Sequence, residues 1–275
     1  MKQKIQFQSI VAETLLIPLY NRAKESRRQD PILRDPLAES LVDSIDYDFS
    51  RLDGAPLSEL GCVVRGWYFD NAVSRLIATS SKNVVVVNVG CGLDTRYQRN
   101  EVKDSETVFY DMDLPEVIDL RRQLIPESPN NPYIAASLLE TDWLDTLRAK
   151  HPDSAFIFVI EGVLMYFSDE QVKSFLGNVA NRFAGGEIWF DVSGKKAAKH
   201  KPDALRKHEA QIRSGIDDGH EVEQMVPSLS LIEQANYMQF FRSRWGFFYG
   251  QIIGRMPRLC QKFSSLLGYK IGAKP

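Results

Sequence analysis

The stretch Val84-Val85-Val86-Val87-Asn88-Val89-Gly90-Cys91-Gly92-Leu93-Asp94 decides how this sequence is read. Four consecutive valines, with a fifth after Asn88, make a β-branched run of strand length. A strand this apolar is buried on both faces, as in a parallel sheet sandwiched between helices. The glycines that follow lack side chains, so backbone N–H groups and the start of a following helix can approach a ligand closely. A glycine turn alone does not say which ligand.

Outward from this point, short apolar runs recur at Thr107 to Tyr110, Tyr133 to Ala136, Ala155 to Ile160 and Glu187 to Val192. Between the last two, Ser168 and Gln171 form a capping-box pattern, with Asp169 and Glu170 in the first turn. Val172, Phe175, Leu176, Val179 and Phe183 then keep helical spacing up to Gly185-Gly186. Strand, helix, strand predicts an α/β fold with a doubly wound, mostly parallel sheet and right-handed crossovers. Ligands of such sheets bind beyond the carboxyl ends of the strands. The 275 residues are read as a single domain. Residues 1–80 form a helical N-terminal cap, broken at Asp30-Pro31 and Asp35-Pro36, and 81–194 the cofactor-binding core. Residues 195–233 are a polar lid insertion, whose Lys195, Lys196, Lys199 and Lys201 read as a solvated face. Residues 234–275 hold a C-terminal strand and a basic amphipathic segment.

Composition narrows the functional classes. Hydrophobic residues are 44% and charged residues 25%, ordinary values for a globular protein without a membrane span. Lys+Arg 34 against Asp+Glu 36, a net charge of -2, argues against a nucleic-acid binder. Cys62, Cys91 and Cys260 are odd in number and have no histidine cluster beside them, so neither a disulfide framework nor a metal site is expected. The apolar stretch Ile10 to Tyr20 is interrupted by Glu13 and has no small-residue cleavage site after it, so a cytoplasmic protein is expected.

A second feature sharpens the glycine turn. Asp111 and Asp113 end the next apolar run, 21 and 23 residues beyond Gly90, the spacing at which a carboxylate takes ribose hydroxyls. Turn and acids together predict an adenosine-type ligand. A dinucleotide site has a third glycine where this chain has Thr95, and Asp94 would face a phosphate unfavourably. S-adenosyl-L-methionine, which carries no phosphate, fits better; a nucleotide-dependent oxidoreductase is the alternative.

Three segments then carry a family resemblance. Val-Gly-Cys-Gly-Leu-Asp-Thr-Arg at 89–96, Phe-Tyr-Asp-Met-Asp-Leu-Pro at 109–115 and Ile-Glu-Gly-Val-Leu-Met-Tyr at 160–166 resemble signature segments of the leucine carboxyl methyltransferases and the related bacterial polyketide O-methyltransferases. The motifs occur in order at family spacing, and the likeness extends more loosely from about residue 15 to about residue 195. It implies a Rossmann-like class I methyltransferase fold, S-adenosyl-L-methionine as cofactor, and methyl transfer to a carboxylate or hydroxyl of a small hydrophobic metabolite. A non-catalytic protein that binds the same cofactor is a further alternative.

The resemblance also implies roles. Arg65 and Lys24 would hold the methionine carboxylate, Asp113 the ribose with Asp111 as its nearest competitor, and Glu161 the methionine part. Ser137-Leu138 stands where the family has aspartate-leucine at the adenine, and a neutral serine is a weaker acceptor than a carboxylate. Thr141 or Asp142 are the candidate substitutes. Independently of the family, a helix over 65–79 places Arg65 on a face with Phe69, Ala72 and Leu76, so it needs an anionic partner, for which Asp70 is the nearest structural candidate.

No catalytic base is assigned. Of His151, His200, His208 and His220, the last lies beside Asp217, Asp218 and Glu221 and is the best candidate for a hydroxyl acceptor; a carboxylate acceptor needs no base. Trp67, Tyr68, Trp143 and Tyr166 are candidates for an acceptor pocket or for ordinary core. Seven of the thirteen residues from Tyr237 to Tyr249 are aromatic and are expected to pack a late strand against the sheet. After Glu233 there is no acidic residue, while Arg242, Arg244, Arg255, Arg258, Lys262, Lys270 and Lys274 are basic. Ile252, Met256, Leu259, Phe263 and Leu266 have helical spacing among them. That stripe reads as packing onto the domain, or as peripheral contact with an anionic membrane or an acidic carrier protein.

Overall fold

The valine run forms β1 (Val84–Val89), and all six of its residues are buried. In this computed structural model, which describes residues 14–102, 104, 106–198 and 212–272, β1 lies near the centre of a seven-stranded sheet. The other strands are β2 (Val108–Asp113), β3 (Tyr133–Ala135), β4 (Ala155–Ile160), β5 (Glu187–Ser193), β6 (Leu229–Ala235) and β7 (Ser264–Ile271). Their order is β3-β2-β1-β4-β5-β7-β6. The first five are parallel, and β7 runs antiparallel to both of its neighbours. This is the expected doubly wound, mostly parallel α/β sheet.

Alternation along the strands divides the core in two. Val85, Val87 and Val89 join Phe156, Phe158 and Ile160 on one face, against Leu144 of α6 (Asp142–Lys150) and Phe175, Leu176 and Val179 of α7 (Asp169–Arg182). Val84 and Val86 join Phe109, Ile157, Val159 and Trp189 on the other, against Phe69, Ala72 and Val73 of α3 (Pro56–Thr79). Each large apolar side chain buried in this way contributes roughly 1.5–3 kcal/mol. The capping box of α7 is present: Ser168 Oγ accepts the Gln171 N–H at 3.3 Å, and Gln171 Oε1 accepts the Ser168 N–H at 3.0 Å.

The N-terminal part packs as a separate layer. Leu16, Leu19 and Ala23 of α1 (Leu16–Ser26) and Leu41 and Val42 of α2 (Pro36–Ser44) form a cluster that reaches Leu93 beside the glycine turn. Asp35 accepts the Ala38 N–H at 3.0 Å and Pro36 opens α2, so Asp35-Pro36 is a helix start. Short helices α4 (Arg96–Arg99) and α5 (Pro115–Leu124) follow β1 and β2.

The C-terminal third differs from expectation. The stripe from Ile252 to Leu266 is not one helix. Tyr237–Gln239 and Arg242–Trp245 are 3-10 turns, Phe247–Ile252 a π turn and Ile253–Arg255 another 3-10 turn, followed by α10 (Pro257–Gln261). Pro257 lacks the N–H that a continuous helix needs, and Gly246 at φ 73 turns the chain before the π turn. Leu266 belongs to β7 and is fully buried. The aromatic-rich stretch forms these turns, from which Tyr237 and Phe240 pack against the sheet beside Trp189, Ala235 and Leu266. Two further helices, α8 (Lys195–Ala198) and α9 (His220–Met225), occupy the described part of the expected lid, whose boundary at 233 falls inside β6. Lys199, His200, Lys201, His208 and Lys274 lie outside the described residues. Among the described residues no helix is long and apolar enough to cross a membrane.

Candidate active site

Sheet register sets the site. Val89 is level with Met112 of β2 and Ile160 of β4, and Ile160 is level with Phe190 of β5. The next residue on each strand is Gly90, Asp113, Glu161 and Asp191, so these four emerge as one row at the carboxyl edge of the sheet. A cavity of about 1600 Å³ opens above that row. All four line it, with Gly92, Ser137, Leu138 and Arg65.

At the β1–β2 end, the Asp113 carboxylate accepts N–H bonds from Gly92 at 2.8 Å and Leu114 at 2.7 Å. Burial pushes its pKa upward, against the pull of those donors. Met112, Leu114, Ala136, Ser137 and Leu138 give the neighbouring wall. Ser137 Oγ accepts the Leu139 N–H at 3.2 Å.

At the β4–β5 side, Arg65 reaches in from α3. Its Nε donates to Glu161 Oε1 at 3.1 Å and its Nη1 to Asp191 Oδ2 at 2.9 Å. The anionic partner required by an arginine on an apolar face is thus this pair, while Asp70 bonds Arg96 and Arg99 instead. Glu161 Oε2 accepts from Arg96 Nη2 at 2.6 Å, so Glu161 bridges two arginines. The Tyr237 hydroxyl donates to Asp191 Oδ2 at 3.1 Å. Burial and then Asp191 push the Tyr237 hydroxyl well above the usual phenol range, so it stays protonated at neutral pH.

These contacts belong to a larger buried network. Arg22, Arg65, Arg96 and Arg99 interlock with Asp35, Asp70, Asp94, Glu161 and Asp191. Five carboxylates face four guanidiniums, leaving one formal negative charge in excess. Burial disfavours the charged form of Asp94, yet Arg96, Arg99 and Arg22 hold its carboxyl well below the usual range. Glu161 is lowered in the same way by Arg65 and Arg96.

Two of the nine expected site residues do not line the cavity. Asp111 is buried beneath the glycine turn, where it accepts from Arg121 Nη2 at 2.6 Å, Asn131 Nδ2 at 2.8 Å and Asn88 Nδ2 at 3.1 Å. Arg121 Nη1 in turn donates to Gly92 O at 3.0 Å, so Asp111 braces the turn rather than facing the ligand space. It lies one pleat deeper than Asp113, and that step covers it. Lys24 points away, with its Nζ 2.7 Å from both Asp53 and Glu59. Arg22, two residues earlier and roughly 200° around α1, is the α1 cation that lines the cavity. It donates to Asp35 Oδ2 at 2.9 Å and Leu93 O at 2.8 Å.

Of the candidate acceptor aromatics, Tyr166 lines the cavity. Trp143 is buried in the core under α7, and Trp67 and Tyr68 border a separate cavity of about 230 Å³ beside Trp189 and Phe240. Thr141 and Asp142 are not among the cavity's lining residues. His220 is paired with Glu223 at 2.6 Å and His151 with the Tyr110 hydroxyl at 2.9 Å, both away from the cavity. Beyond β4 and β5 the lining becomes largely apolar, with Met165, Tyr166, Trp245, Phe248, Ile253 and Phe263, and includes Lys196 and Arg213.

Comparison with known proteins gives the family and the fold. The family model described as leucine carboxyl methyltransferase matches residues 16–180. The chain is 34% identical over 227 residues to the tetracenomycin polyketide synthesis O-methyltransferase TcmP of Streptomyces glaucescens, covering 82% of each chain. It is 28% identical over 282 residues to the S-adenosyl-L-methionine-dependent methyltransferase dpfgK of Gibberella zeae, covering 95% of this chain and 92% of that one. Among solved structures, its fold is similar to that of a DUF574 family protein from Streptomyces avermitilis, with TM-score 0.61, 14% identity and coverage of 97% and 100%.

Proposed function

The chain belongs to the leucine carboxyl methyltransferase family and is an S-adenosylmethionine-dependent methyltransferase, and from that premise we propose that it methylates an oxygen of a small hydrophobic metabolite, a carboxylate ahead of a hydroxyl. The observation that carries this reading is the two-ended cavity. One end is rich in carboxylates, and the other is apolar with Lys196 and Arg213 in its wall.

The residues present fit the cofactor. S-adenosylmethionine is a zwitterionic amino acid with a cationic sulfonium, one net positive charge, and the buried network beside the cavity carries one formal negative charge in excess. On this reading Asp113 accepts the ribose hydroxyls, and Gly90 and Gly92 let the backbone close on the ligand. Ser137 and Leu138 border the adenine. Arg65 commits Nε and Nη1 to Glu161 and Asp191, leaving Nη2 as the donor for the methionine carboxylate, with Arg22 as the second cation on that side. Glu161 and Asp191 face the ammonium and the sulfonium.

When bound, the cofactor supplies a methyl group activated by the neighbouring positive charge. The chain's own contribution is alignment and exclusion of water. A carboxylate acceptor is already nucleophilic at neutral pH, whereas a hydroxyl needs a proton acceptor. No histidine among the described residues lines the cavity, and burial keeps the Tyr166 hydroxyl above its ordinary pKa and therefore protonated. Lys196 and Arg213 favour an anionic acceptor by simple Coulomb attraction. At about 1600 Å³ the cavity exceeds the roughly 300–1,000 Å³ of a single-ligand site, leaving room for the acceptor beside the cofactor.

The test is methyl transfer from labelled S-adenosylmethionine to aromatic carboxylic acids and phenols of matched size, followed by mild alkali, which releases methanol from esters and leaves ethers intact. Label in esters is expected. Label confined to ethers would overturn the preference for a carboxylate, and absence of calorimetric binding of S-adenosylhomocysteine to the folded chain would overturn the site itself.

A further inference from the structure

The turns between β6 and β7 present an unusual surface. Phe247 is 77% exposed, and Phe248, Tyr249, Ile252, Met256 and Phe263 are between 40% and 57% exposed. These large apolar side chains come from one segment of the chain and reach the cavity, because Phe248, Tyr249 and Phe263 also line it. Their exposure is built into a closely packed backbone. A β-carbon at Gly250 would stand 1.9 Å from the Arg242 carbonyl oxygen, so the π turn is pressed onto the preceding turn while its side chains face outward.

The same segment is basic. Arg242, Arg255, Arg258 and Lys262 are exposed, and no acidic residue follows Glu233 in the sequence. Isolated surface apolar residues are ordinary, but a contiguous group at a cavity mouth marks an interaction site. Aromatic and aliphatic side chains interleaved with cations are the composition of surfaces that insert into the headgroup region of an anionic bilayer. Exposed aromatic and aliphatic side chains at a cavity mouth, set among basic residues with no acid after Glu233, match hydrocarbon lying below a layer of phosphates.

We infer that this face, formed by the π turn, the following 3-10 turn and α10, docks on an anionic lipid surface with the cavity mouth toward the bilayer. The further consequence, that a hydrophobic acceptor enters from the membrane, rests on the function proposed above; the docking does not.

The experiment is co-sedimentation of the full chain with phosphatidylcholine vesicles, with and without phosphatidylglycerol, at low and high salt. Two double variants accompany it: R258E/K262E for charge and F247S/M256S for insertion. None of these four residues lines the cavity, so calorimetric affinity for S-adenosylhomocysteine serves as the control for folding and is expected to be unchanged. Wild type is expected to sediment with the anionic vesicles at low salt and to be released at high salt. Each basic residue near an anionic surface is worth roughly a fivefold change in partitioning, so R258E/K262E should lower it by more than about tenfold. F247S/M256S should lower it by a similar factor. The inference is overturned if wild type stays in the supernatant, if it binds both vesicle types equally, or if neither variant changes binding. It is also overturned, in favour of a second copy of the chain, if vesicles are not bound and F247S/M256S dissociates a dimer seen by light scattering. Capture of an acyl carrier protein with vesicles left unbound would overturn it in favour of an acidic protein partner.

Discussion

The guanidinium of Arg65 lies against Gly162, where a β-carbon would stand 2.9 Å from Nη2 and 3.0 Å from Nη1. Gly162 has φ +72 and donates its N–H to Asp191 Oδ1 at 2.6 Å, so one residue both positions Asp191 and makes room for the arginine that Asp191 holds. Gly162→Ala therefore meets two obstacles. The left-handed backbone costs an L-residue roughly 1–2 kcal/mol, and the methyl group displaces an arginine already fixed by Glu161 and Asp191. Cofactor affinity measured by calorimetry should fall by more than about tenfold, equivalent to roughly 1.4 kcal/mol. Unchanged affinity in a folded variant would remove Arg65 from the cofactor site.

Gly90, Asp113 and Glu161 were legible in the sequence for a physical reason. Each directly follows or closes an apolar run of strand length, and parallel strands in register bring such ends into one row. Asp191 belongs to the same row but sits inside the run Glu187 to Val192, where it reads as an interruption of a strand. An acid within a run otherwise this apolar was the available signal. The network of Arg22, Arg96 and Arg99 was less accessible. Arg96 and Arg99 share a face of α4 at i,i+3, but their partners Asp70 and Asp35 are 26 and 64 residues away and become neighbours only once the cap is folded onto the sheet. The C-terminal stripe misled in the opposite way. Its apolar periodicity continued across Pro257, where one turn ends and a new short helix begins.

Arg22 and Lys24 provide a contrast on a single helix. Arg22→Ala removes a buried partner of Asp35 and of the Leu93 carbonyl, and stability should fall by roughly 3–5 kcal/mol in urea unfolding, with cofactor affinity weakened in parallel. Lys24→Ala removes a half-exposed pair and should cost less than about 1 kcal/mol, leaving cofactor affinity within about twofold. A large loss of affinity in Lys24→Ala would show that its present pairing with Asp53 and Glu59 is exchanged for the ligand.

Ser137 tests the adenine end. A hydroxyl accepting from an amino group is a neutral hydrogen bond, and a carboxylate roughly doubles its strength. Ser137→Asp should tighten S-adenosylhomocysteine by about three- to tenfold, a gain of roughly 1 kcal/mol, with little effect on an analogue that lacks the adenine amino group. Equal tightening of both ligands would show that the added charge acts through the general field of the site.

Acid should separate cofactor binding from folding, because the carboxylates divide by the direction of their shifts. Burial raises Asp113 above its ordinary value of 3.8, whereas the arginines hold Asp35, Asp94 and Glu161 below theirs despite burial. For the lowered group, the unfolded chain binds protons more readily than the folded one. Their contribution to stability is therefore complete above the ordinary carboxylate range near pH 4 and is lost as pH falls through the folded values. For Asp113 the sign is reversed. It takes up its proton first, and a protonated carboxyl is a poorer acceptor for ribose hydroxyls. Titrated downward from pH 7, S-adenosylhomocysteine affinity should decline while the urea midpoint still holds, and the midpoint should collapse only at lower pH. In Asp113→Asn the early decline should disappear, from an already weakened affinity, while the later collapse remains. Simultaneous loss of affinity and stability in the wild type would place ribose recognition on the arginine-linked carboxylates instead.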